Sequence, residues 1–420
     1  MLNMTSTTEK STHEYTLDNG LRVIVRQDHR LPNICASLFH KVGTYHERPH
    51  QHGLAFLTGG AAYQDKDKEK KIGATNYGWL DYKLSAYSLD APRHELTSVL
   101  GLLAARMAPP VLTQERLNKG IEYIQTLELR DPYYSSNYWL DPAFKQLIYS
   151  YPGKSYKFGD IDDLARLTMT DVLRWHAEGY GPNNTILVIA GDTTLEEIQP
   201  LVQHSFGDIA QAEVLASIVK PASLPQRDER RLTQHLYTEL ARLQMAFNMP
   251  FLASPDTTND VRVLHVIAAL LSKGPEAWLP GRLSEGKDTL TSAISILTSL
   301  GLQEDLFLIS ATLGEHSLLS VQELELEVIA LLEALKQHPL DAETLNYGRH
   351  QALENLKELD TLEIQVTLIG TLAVMGQPLA LLDSEAEQIQ SVTADDIQRV
   401  ANKYFNSHQL SVAHIMPRQD

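Results

Sequence analysis

A weak internal repeat divides this chain of 420 residues into two halves of similar organisation. Residues 168–180 and 393–405 each begin with a threonine that is followed, three residues later, by an aspartate, Asp171 or Asp396. This spacing is a variant of the capping box, in which the two side chains satisfy backbone groups at a helix N-terminus. Each segment continues with apolar residues at helical spacing and leads into a strand-like run. The repeat therefore predicts two related domains, each ending in a helix and then a strand.

The junction between the halves is predicted at residues 213–228, where two prolines precede a charged run. This linker separates predicted domains at 1–212 and 229–420. Strand-like runs open each half, and helical patterns follow them at residues 91–108, 113–129, 138–148, 259–271, 321–337, 342–359 and 363–375. Leading strands with clustered later helices favour an α+β class, in which helices cover one face of each sheet.

The composition indicates an acidic globular protein. The sequence has 36 Lys and Arg residues against 53 Asp and Glu residues, a formal net charge of −17. Nucleic acids and anionic membranes select basic surfaces, so neither is expected as a partner. The longest apolar stretch, Val263–Leu271, is too short to cross a bilayer. The first ten residues contain no apolar signal core, so the chain as written is expected in the cytoplasm, or in the periplasm if an upstream export signal was removed.

Residues 46–50 read His-Glu-Arg-Pro-His and match the H-E-x-x-H motif of thermolysin-like zinc peptidases. That motif requires a helix that places both histidines on one face, with the glutamate beside the metal-bound water. Pro49 opposes such a helix, because proline lacks the N–H group and clashes with the preceding turn. We interpret the string as an incidental histidine-rich loop. Two alternatives stay open: adventitious metal binding, or an unconventional zinc peptidase site, at His46, His50 and His52.

Four segments, residues 15–32, 53–63, 181–192 and 247–251, carry a family resemblance. The second of them reads Gly-Leu-Ala-Phe-Leu-Thr-Gly-Gly-Ala-Ala-Tyr. In order and spacing the four resemble the M16 (pitrilysin/insulinase-type) metallopeptidase family, and within it the bacterial two-domain, M16B-like kind. The resemblance implies two tandem M16/LuxS-type metallohydrolase-like domains of the α+β class. Each would be a mostly antiparallel sheet with helices on one face.

The resemblance also implies that the zinc site is lost. In active members the segment at 53–60 reads Gly-Leu-Ala-His-x-x-Glu-His, so Phe56, Gly59 and Gly60 stand where the two zinc-binding histidines and the catalytic glutamate would be. The third zinc ligand, a glutamate on a later helix, falls at Thr126. Phenylalanine and glycine side chains neither bind zinc nor transfer protons. No metal cofactor is therefore predicted, and a purely structural helix here would bury Phe56.

A second family feature is replaced as well. Active members hold the substrate backbone with an Arg and a Tyr of the second domain, and Trp278 and Thr291 occupy those positions here. Arg282 or Lys287 could supply a cation nearby. The leading hypothesis is a non-catalytic homologue that pairs with an active zinc M16 chain and completes a chamber for unfolded peptide. The alternative is a homodimeric peptide-binding or scaffold protein without a protease partner.

Overall fold

The computed structural model describes residues 10–61, 66–81, 83–134, 142–148, 159, 161–213, 228–236, 238–249, 258–274, 276–283, 290–298 and 306–418. Its strands are β1 (Ser11–Thr16), β2 (Arg22–Gln27), β3 (Asn33–His40), β4 (Thr75–Leu80), β5 (Ser85–Pro92), β6 (Thr185–Gly191), β7 (Arg230–Leu236), β8 (Arg242–Asn248), β9 (Leu290–Thr298), β10 (Leu306–Leu313) and β11 (Leu410–Pro417).

The α-helices are α1 (Leu54–Ala61), α2 (Lys66–Lys71), α3 (Leu96–Arg106), α4 (Gln114–Tyr134), α5 (Pro142–Ile148), α6 (Ile161–Leu164), α7 (Met169–Gly179), α8 (Leu195–Phe206), α9 (Thr258–Ser272), α10 (Trp278–Leu283), α11 (Val321–Gln337), α12 (Ala342–Glu358), α13 (Leu362–Val374), α14 (Glu385–Ser391) and α15 (Ala394–Tyr404). Each helix in the described ranges is too short or too polar to span a bilayer.

Both halves build a sheet with the same strand order. The first sheet runs β1-β2-β6-β3-β5-β4 and the second runs β7-β11-β8-β10-β9. One neighbouring pair in each sheet is parallel, β2 with β6 and β7 with β11. The other neighbouring pairs are antiparallel. Apart from the extra strand β1, the two sheets therefore match strand for strand, and the predicted class of two mostly antiparallel α+β domains is confirmed.

The predicted repeat is seen in α7 followed by β6 and in α15 followed by β11. Thr168 Oγ1 accepts a hydrogen bond from the Asp171 N–H at 3.3 Å, and Asp171 Oδ2 accepts one from the Thr168 N–H at 2.9 Å. The same two bonds join Thr393 and Asp396, each at 3.1 Å. Reciprocal capping satisfies two N–H groups that a helix start otherwise leaves unpaired. Local sequence thus sets the same helix start in both halves.

The first sheet has helices on both faces. Ile34 and Leu38 of β3 are fully buried in a cluster that includes Val99 of α3 and residues of α8. Side chains alternate along a strand, so Phe39 points to the opposite face. There Gly370 of α13 lies against the Phe39 ring. The apolar residues of β3 are therefore buried on both sides, so the expectation of helices on one face only is wrong in this detail.

The second sheet repeats this arrangement. Met245 and Phe247 of β8 are buried in a large cluster with residues of α9, α11 and α15. A separate cluster contains Phe144 and Ile148 of α5 together with Ala246 of β8. Alternation along β8 places these two clusters on opposite faces of the sheet.

Each compact unit contains one helix from the other half of the chain. The first unit comprises residues 1–129, 156–220 and 360–379 and so includes α13, whereas the second comprises 130–155, 221–359 and 380–420 and includes α5. The predicted division into 1–212 and 229–420 assigns both helices to the sheet of their own half, because it follows the linear order of the chain. Residues 214–227 lie outside the described residues, so the linker at 213–228 stays a prediction.

A charged cluster attaches α13 to the first unit. Arg30 donates hydrogen bonds to Asp28 at 2.6 Å and to Asp360 at 2.8 Å. Gln365 of α13 donates to Asp28 at 3.0 Å, and Lys10 donates to Asp360 at 2.7 Å. Burial alone would raise the pKa of the Asp28 carboxyl, but the hydrogen bonds from Arg30 and Gln365 outweigh it and hold that pKa below its ordinary value. Asp28 is therefore ionised at neutral pH.

Candidate functional site

Helix α1 carries three of the positions that the resemblance assigns to the lost zinc site. Leu54 and Leu57 are buried against Trp175 of α7 and neighbouring apolar residues. Phe56 is only half-buried: it packs on the edge of that cluster and also lines a cavity. The expectation of a buried Phe56 is therefore wrong, because its helix borders an open space rather than a closed core.

Glu47 caps the N-terminus of α1. Its carboxylate, with 1% of the side chain exposed, accepts hydrogen bonds from the N–H groups of Gly53 at 3.0 Å and Ala55 at 2.9 Å. Burial raises the pKa of Glu47, and these bonds offset part of that effect. A carboxylate at this position also interacts favourably with the helix dipole. The glutamate of the H-E-x-x-H string is thus engaged in holding α1 in place.

The three histidines of the predicted metal cluster have separate surroundings. The His46 ring accepts a hydrogen bond from the Gly43 N–H at 3.0 Å, and burial lowers the pKa of His46. The His50 side chain is 79% exposed, and its backbone is left-handed with φ of 67°. His52 Nδ1 lies 3.5 Å from the capping carboxylate of Glu47. No group of three or more His, Cys, Asp or Glu side chains in the described ranges is arranged to hold a metal ion.

A cavity of about 590 Å³ lies beside α1, within the first unit. Helix α1 forms one wall, strands β4 and β5 form a second, and α4 forms a third. Five aromatic residues are among those that line it: Phe56, Trp79, Tyr87, Tyr123 and Tyr180. A volume of this size is within the range of sites that bind drug-sized ligands. The cavity is the candidate functional site.

The two glycines of α1 leave part of this space open. A Cβ atom added at Gly60 would meet no atom within 4 Å, and one added at Gly59 would lie 4.0 Å from the Tyr180 hydroxyl. Side chains of the catalytic glutamate and of the second zinc-binding histidine, which the resemblance assigns to these positions, would project into this volume. The residues present therefore do not fit a zinc ion, and the space they leave is available to another ligand.

Strand β4 forms the edge of the sheet next to the cavity. It pairs with β5 on one side, and its other side pairs with no strand of the described ranges. Residues 75–78 are exposed, while Trp79 and Leu80 are half-buried and line the cavity. An exposed edge strand offers a row of N–H and C=O groups to an added chain.

Buried aromatic rings form one side of the cavity. Tyr180 stacks between His40, with ring centroids 4.2 Å apart, and His176, at 4.8 Å. His40 also contacts Thr185 Oγ1 at 2.8 Å, and burial lowers the pKa of His40 to about 3. Burial raises the pKa of Tyr180 to about 12, with nearby Ser85 offsetting part of the effect. All three rings are therefore neutral at neutral pH, since burial lowers the pKa of His176 too.

Arg106 adds a positive charge to this cavity. Its guanidinium carbon lies 2.9 Å from the centroid of the Tyr87 ring, and the Tyr87 hydroxyl donates to the buried Glu69. Arg106 Nη2 is 3.8 Å from Glu69. Sequence reasoning missed all three residues, because they are far apart in the chain and belong to no motif. The only local signal was the charged run at residues 65–71 that contains Glu69.

Among the other predicted site residues that the structure describes, Thr126 and Trp278 do not line the cavity. Thr126 of α4 is half-buried, and its hydroxyl donates to the Glu122 carbonyl of the same helix at 2.8 Å, so it is engaged locally. Trp278 begins α10 and packs against the core of the second unit. Thr291 lies in β9 and Arg282 in α10, with side chains outside the described set, and Lys287 lies outside the described residues.

The comparisons with known proteins agree with this architecture. Residues 166–352 match the family model of the Peptidase M16 inactive domain. Over 417 residues the chain is 23% identical to the Zinc protease PqqE of Helicobacter pylori. The aligned region covers 96% of this chain and 92% of that protein. The chain therefore resembles the M16 peptidases.

Solved structures extend the M16 likeness to the whole chain. A protease from Helicobacter pylori has a TM-score of 0.83 at 21% identity, with 97% of this chain and 100% of that chain covered. A chain of complex III2 from Candida albicans has a TM-score of 0.78 at 16% identity, with 97% and 96% covered. At these identities the likeness establishes the M16 fold, and the activity has to be argued from the residues of the site.

Proposed function

We propose that this M16 chain is a non-catalytic homologue that binds extended peptide beside β4 and serves as partner subunit of a separate, active zinc M16 peptidase. The observation that carries the proposal is the cavity at α1. The Phe56 ring borders this cavity, and Gly59 and Gly60, which also line it, leave space open beside the ring. A zinc peptidase needs three protein ligands and a general base at such a site.

The titratable groups of the cavity also support a non-catalytic role. A general acid or base works best with a pKa near the working pH. His40, with its pKa near 3, is a weak base and is already engaged with Thr185. Tyr180, with its pKa near 12, is a weak acid. Neither group is suited to proton transfer at neutral pH.

Peptide binding is supported by the position of β4. An extended peptide that pairs with this edge strand gains main-chain hydrogen bonds, and alternate side chains then point to one face. On β4 itself, Trp79 and Leu80 already line the cavity. A peptide strand added beside them would direct every second side chain toward the same volume.

The partner role is supported by the fold of the complex III2 chain, which belongs to a multi-subunit assembly. An M16 chain without its own metal ligands can contribute a peptide-binding wall while another chain contributes the metal. We propose such an active M16 chain as the partner. Association with a second copy of this chain, giving a homodimer without protease function, is the alternative outcome of the test below.

The first test is metal content and peptidase activity of tag-free protein purified without chelator. We expect less than about 0.1 zinc per chain by elemental mass spectrometry, since functional zinc sites hold the metal tightly. We also expect no cleavage of unfolded peptide unless an active M16 chain is added. Near-stoichiometric zinc, or cleavage by the isolated chain that a chelator abolishes, would overturn the proposal. Native mass spectrometry of the mixture then separates a heterodimer from a homodimer.

The second test fills the cavity. Gly59→Leu places a branched side chain in the open volume without a positive-φ backbone to strain. We expect this variant to lose labelled-peptide binding in fluorescence anisotropy while keeping its circular dichroism spectrum. Gly101→Leu is the matched control, because Gly101 is an exposed glycine of helix α3 with open space at its Cβ position. Unchanged binding in Gly59→Leu would place the peptide elsewhere, and an equal loss in both variants would show that the effect is not specific to the cavity.

A further inference from the structure

Strand β4 contains a glycine that neither its backbone nor its packing requires. Gly78 has no positive φ, and β4 pairs with β5 in one unbroken register from Thr75 to Leu80. A Cβ atom added at Gly78 would meet its nearest neighbours, the Ala86 carbonyl oxygen and the Tyr87 ring, at 3.8 Å, which is ordinary contact. Glycine weakens a strand interior and often marks a bulge or a site where a ligand approaches closely. The regular register excludes a bulge and therefore favours the approach of a ligand.

Gly78 lies on the face of the sheet that borders the cavity. Side chains alternate between the two faces along a strand. Although Trp79 also lines the cavity, its ring lies on the face of Phe39, with ring centroids 5.8 Å apart. Gly78 is therefore on the opposite face, together with its partner in the register, Tyr87, which lines the cavity as well. The missing side chain of Gly78 thus leaves a gap in the cavity wall.

The two neighbours of Gly78 on this face bound the gap along the strand. Asn76 and Leu80 both line the cavity, one on either side of Gly78. Asn76 Nδ2 donates a hydrogen bond to Glu69 at 2.7 Å, and Leu80 is half-buried against the apolar cluster that contains residues of α1. Successive residues on one face of a strand are about 6.8 Å apart, so the gap has the width of a single side chain.

Aromatic rings line the cavity into which this gap opens. Tyr87 of β5 lies next to the gap, with Cδ2 3.8 Å from the position of the missing Cβ atom. Phe56 of α1 and Tyr123 of α4 belong to two other walls, and Tyr123 is 58% exposed. Aromatic pairs that stack offset or edge-to-face gain stabilisation beyond the area they bury. A ring that enters through the gap therefore has aromatic partners on three walls.

A strand that pairs with the free edge of β4 places one side chain directly opposite Gly78, with about 4.5–5.5 Å between paired positions. An aromatic side chain at such a position covers the exposed backbone of an edge glycine and stabilises the pair. We propose that Gly78 determines specificity: the peptide bound at β4 carries an aromatic residue opposite Gly78, and its ring enters the cavity. This inference rests on the proposed function, because it needs a peptide strand along β4, and it adds the class of side chain that this strand carries.

The test compares three labelled nonapeptides of alternating threonine and glutamine that carry phenylalanine, leucine or alanine at the central position. We expect the phenylalanine peptide to bind at least about tenfold more tightly than the alanine peptide in fluorescence anisotropy, because burial of the ring removes apolar surface from water. The leucine peptide should bind about two- to tenfold more weakly than the phenylalanine peptide, since it lacks the ring–ring contacts. The side chains of all three peptides are uncharged, so a difference in charge does not contribute.

Substitutions on β4 locate the ring. Gly78→Phe fills the gap with a ring of the protein itself, so the preference for the phenylalanine peptide over the alanine peptide should disappear while the alanine peptide still binds. Thr75→Phe is the matched control and should leave the preference unchanged, because Thr75 is an exposed residue of the same strand on the opposite face. If Gly78→Phe does not fold by circular dichroism, Gly78→Ala replaces it and should reduce the preference about two- to fourfold, the effect of roughly one methyl group.

The outcomes separate this inference from the proposed function. Equal affinity for all three peptides, or a preference for phenylalanine that survives in Gly78→Phe, would overturn the aromatic residue opposite Gly78 and leave peptide binding intact. A leucine peptide that binds as tightly as the phenylalanine peptide would overturn the aromatic class. An equal effect of Thr75→Phe would overturn the assignment of the face. No binding of any peptide would overturn the proposed function itself, and this inference with it.

Discussion

Substitution of Gly370 tests whether a helix from the second half of the chain packs on the first sheet. Gly370 is a buried residue of α13, and a Cβ atom added there would overlap the ring of Phe39, which is itself fully buried in β3. The ring has little room to yield, because its other neighbours include Trp79, with ring centroids 5.8 Å apart. Gly370→Ala therefore forces either Phe39 or α13 to shift.

Two effects of opposite sign decide the magnitude. Replacing a helical glycine with alanine gains about 1 kcal/mol of helix propensity. Overpacking a buried contact costs about 1–3 kcal/mol, occasionally more. We expect a net loss of up to about 2 kcal/mol in the free energy of unfolding of the first unit. The measurement is urea denaturation followed by tryptophan fluorescence, which also reports on Trp79.

Two further variants make this result interpretable. Gly101→Ala, at an exposed helical position with open space, should gain about 0.5–1 kcal/mol and shows the propensity effect alone. The double variant Phe39→Leu/Gly370→Ala should recover part of the loss, with a coupling energy of about 0.5–3 kcal/mol. If Gly370→Ala stabilises the protein as Gly101→Ala does, α13 does not lie against Phe39, and the packing of α13 on the first sheet is refuted.

Three other perturbations follow from the structure. Gly59→Ala should stabilise the protein by about 0.5–1 kcal/mol in urea denaturation, because the added Cβ has room and the helix gains propensity; a loss would mean that α1 is not helical there. Phe56→Ala should cost less than the ~3–5 kcal/mol of a fully buried phenylalanine, measured the same way; a full-sized loss would place Phe56 in a closed core. The pKa of Asp28 is lower in the folded state than the unfolded value of about 3.9, so its contribution to stability is present above that pH and lost as the pH falls. Asp28→Asn should therefore destabilise the protein at neutral pH and reduce the additional loss on acidification, and identical urea midpoints for wild type and variant at neutral pH would refute the role of this cluster.

Local sequence was sufficient for elements whose ends carry their own signals. Helix α11 runs over Val321–Gln337, as predicted, because Ser320 and Glu323 form a capping box before a regular apolar period. The helical pattern at 91–108 was placed too early, since β5 continues to Pro92 and α3 begins at Leu96. Strand β4 was missed because its exposed residues lack the alternation of a half-buried strand.

Long-range packing could not be read from the same patterns. An apolar helix face predicts burial but does not identify the surface that covers it. Helices α5 and α13 pack on the sheet of the other half, and contacts such as those of Gly370 with Phe39 and of Phe144 with Ala246 identify those surfaces. The candidate site shows the same limit. The resemblance located Phe56, Gly59 and Gly60, whereas the cavity beside them depends on residues of α4, β4 and β5 that no motif connects.

The two glycines of α1 link stability to binding. Neither has a positive φ, and neither has a neighbour that would clash with a Cβ atom, so backbone geometry and packing do not require glycine at these positions. Each costs roughly 0.5–1 kcal/mol of helix stability relative to alanine. A cost of this kind is typical of positions where function opposes stability. If the open space serves a ligand, Gly59→Ala should raise stability with little loss of peptide affinity, because a methyl group fills a small part of about 590 Å³. Gly59→Leu should raise stability and abolish binding, and unchanged affinity in that variant would leave the glycines without a function in this cavity.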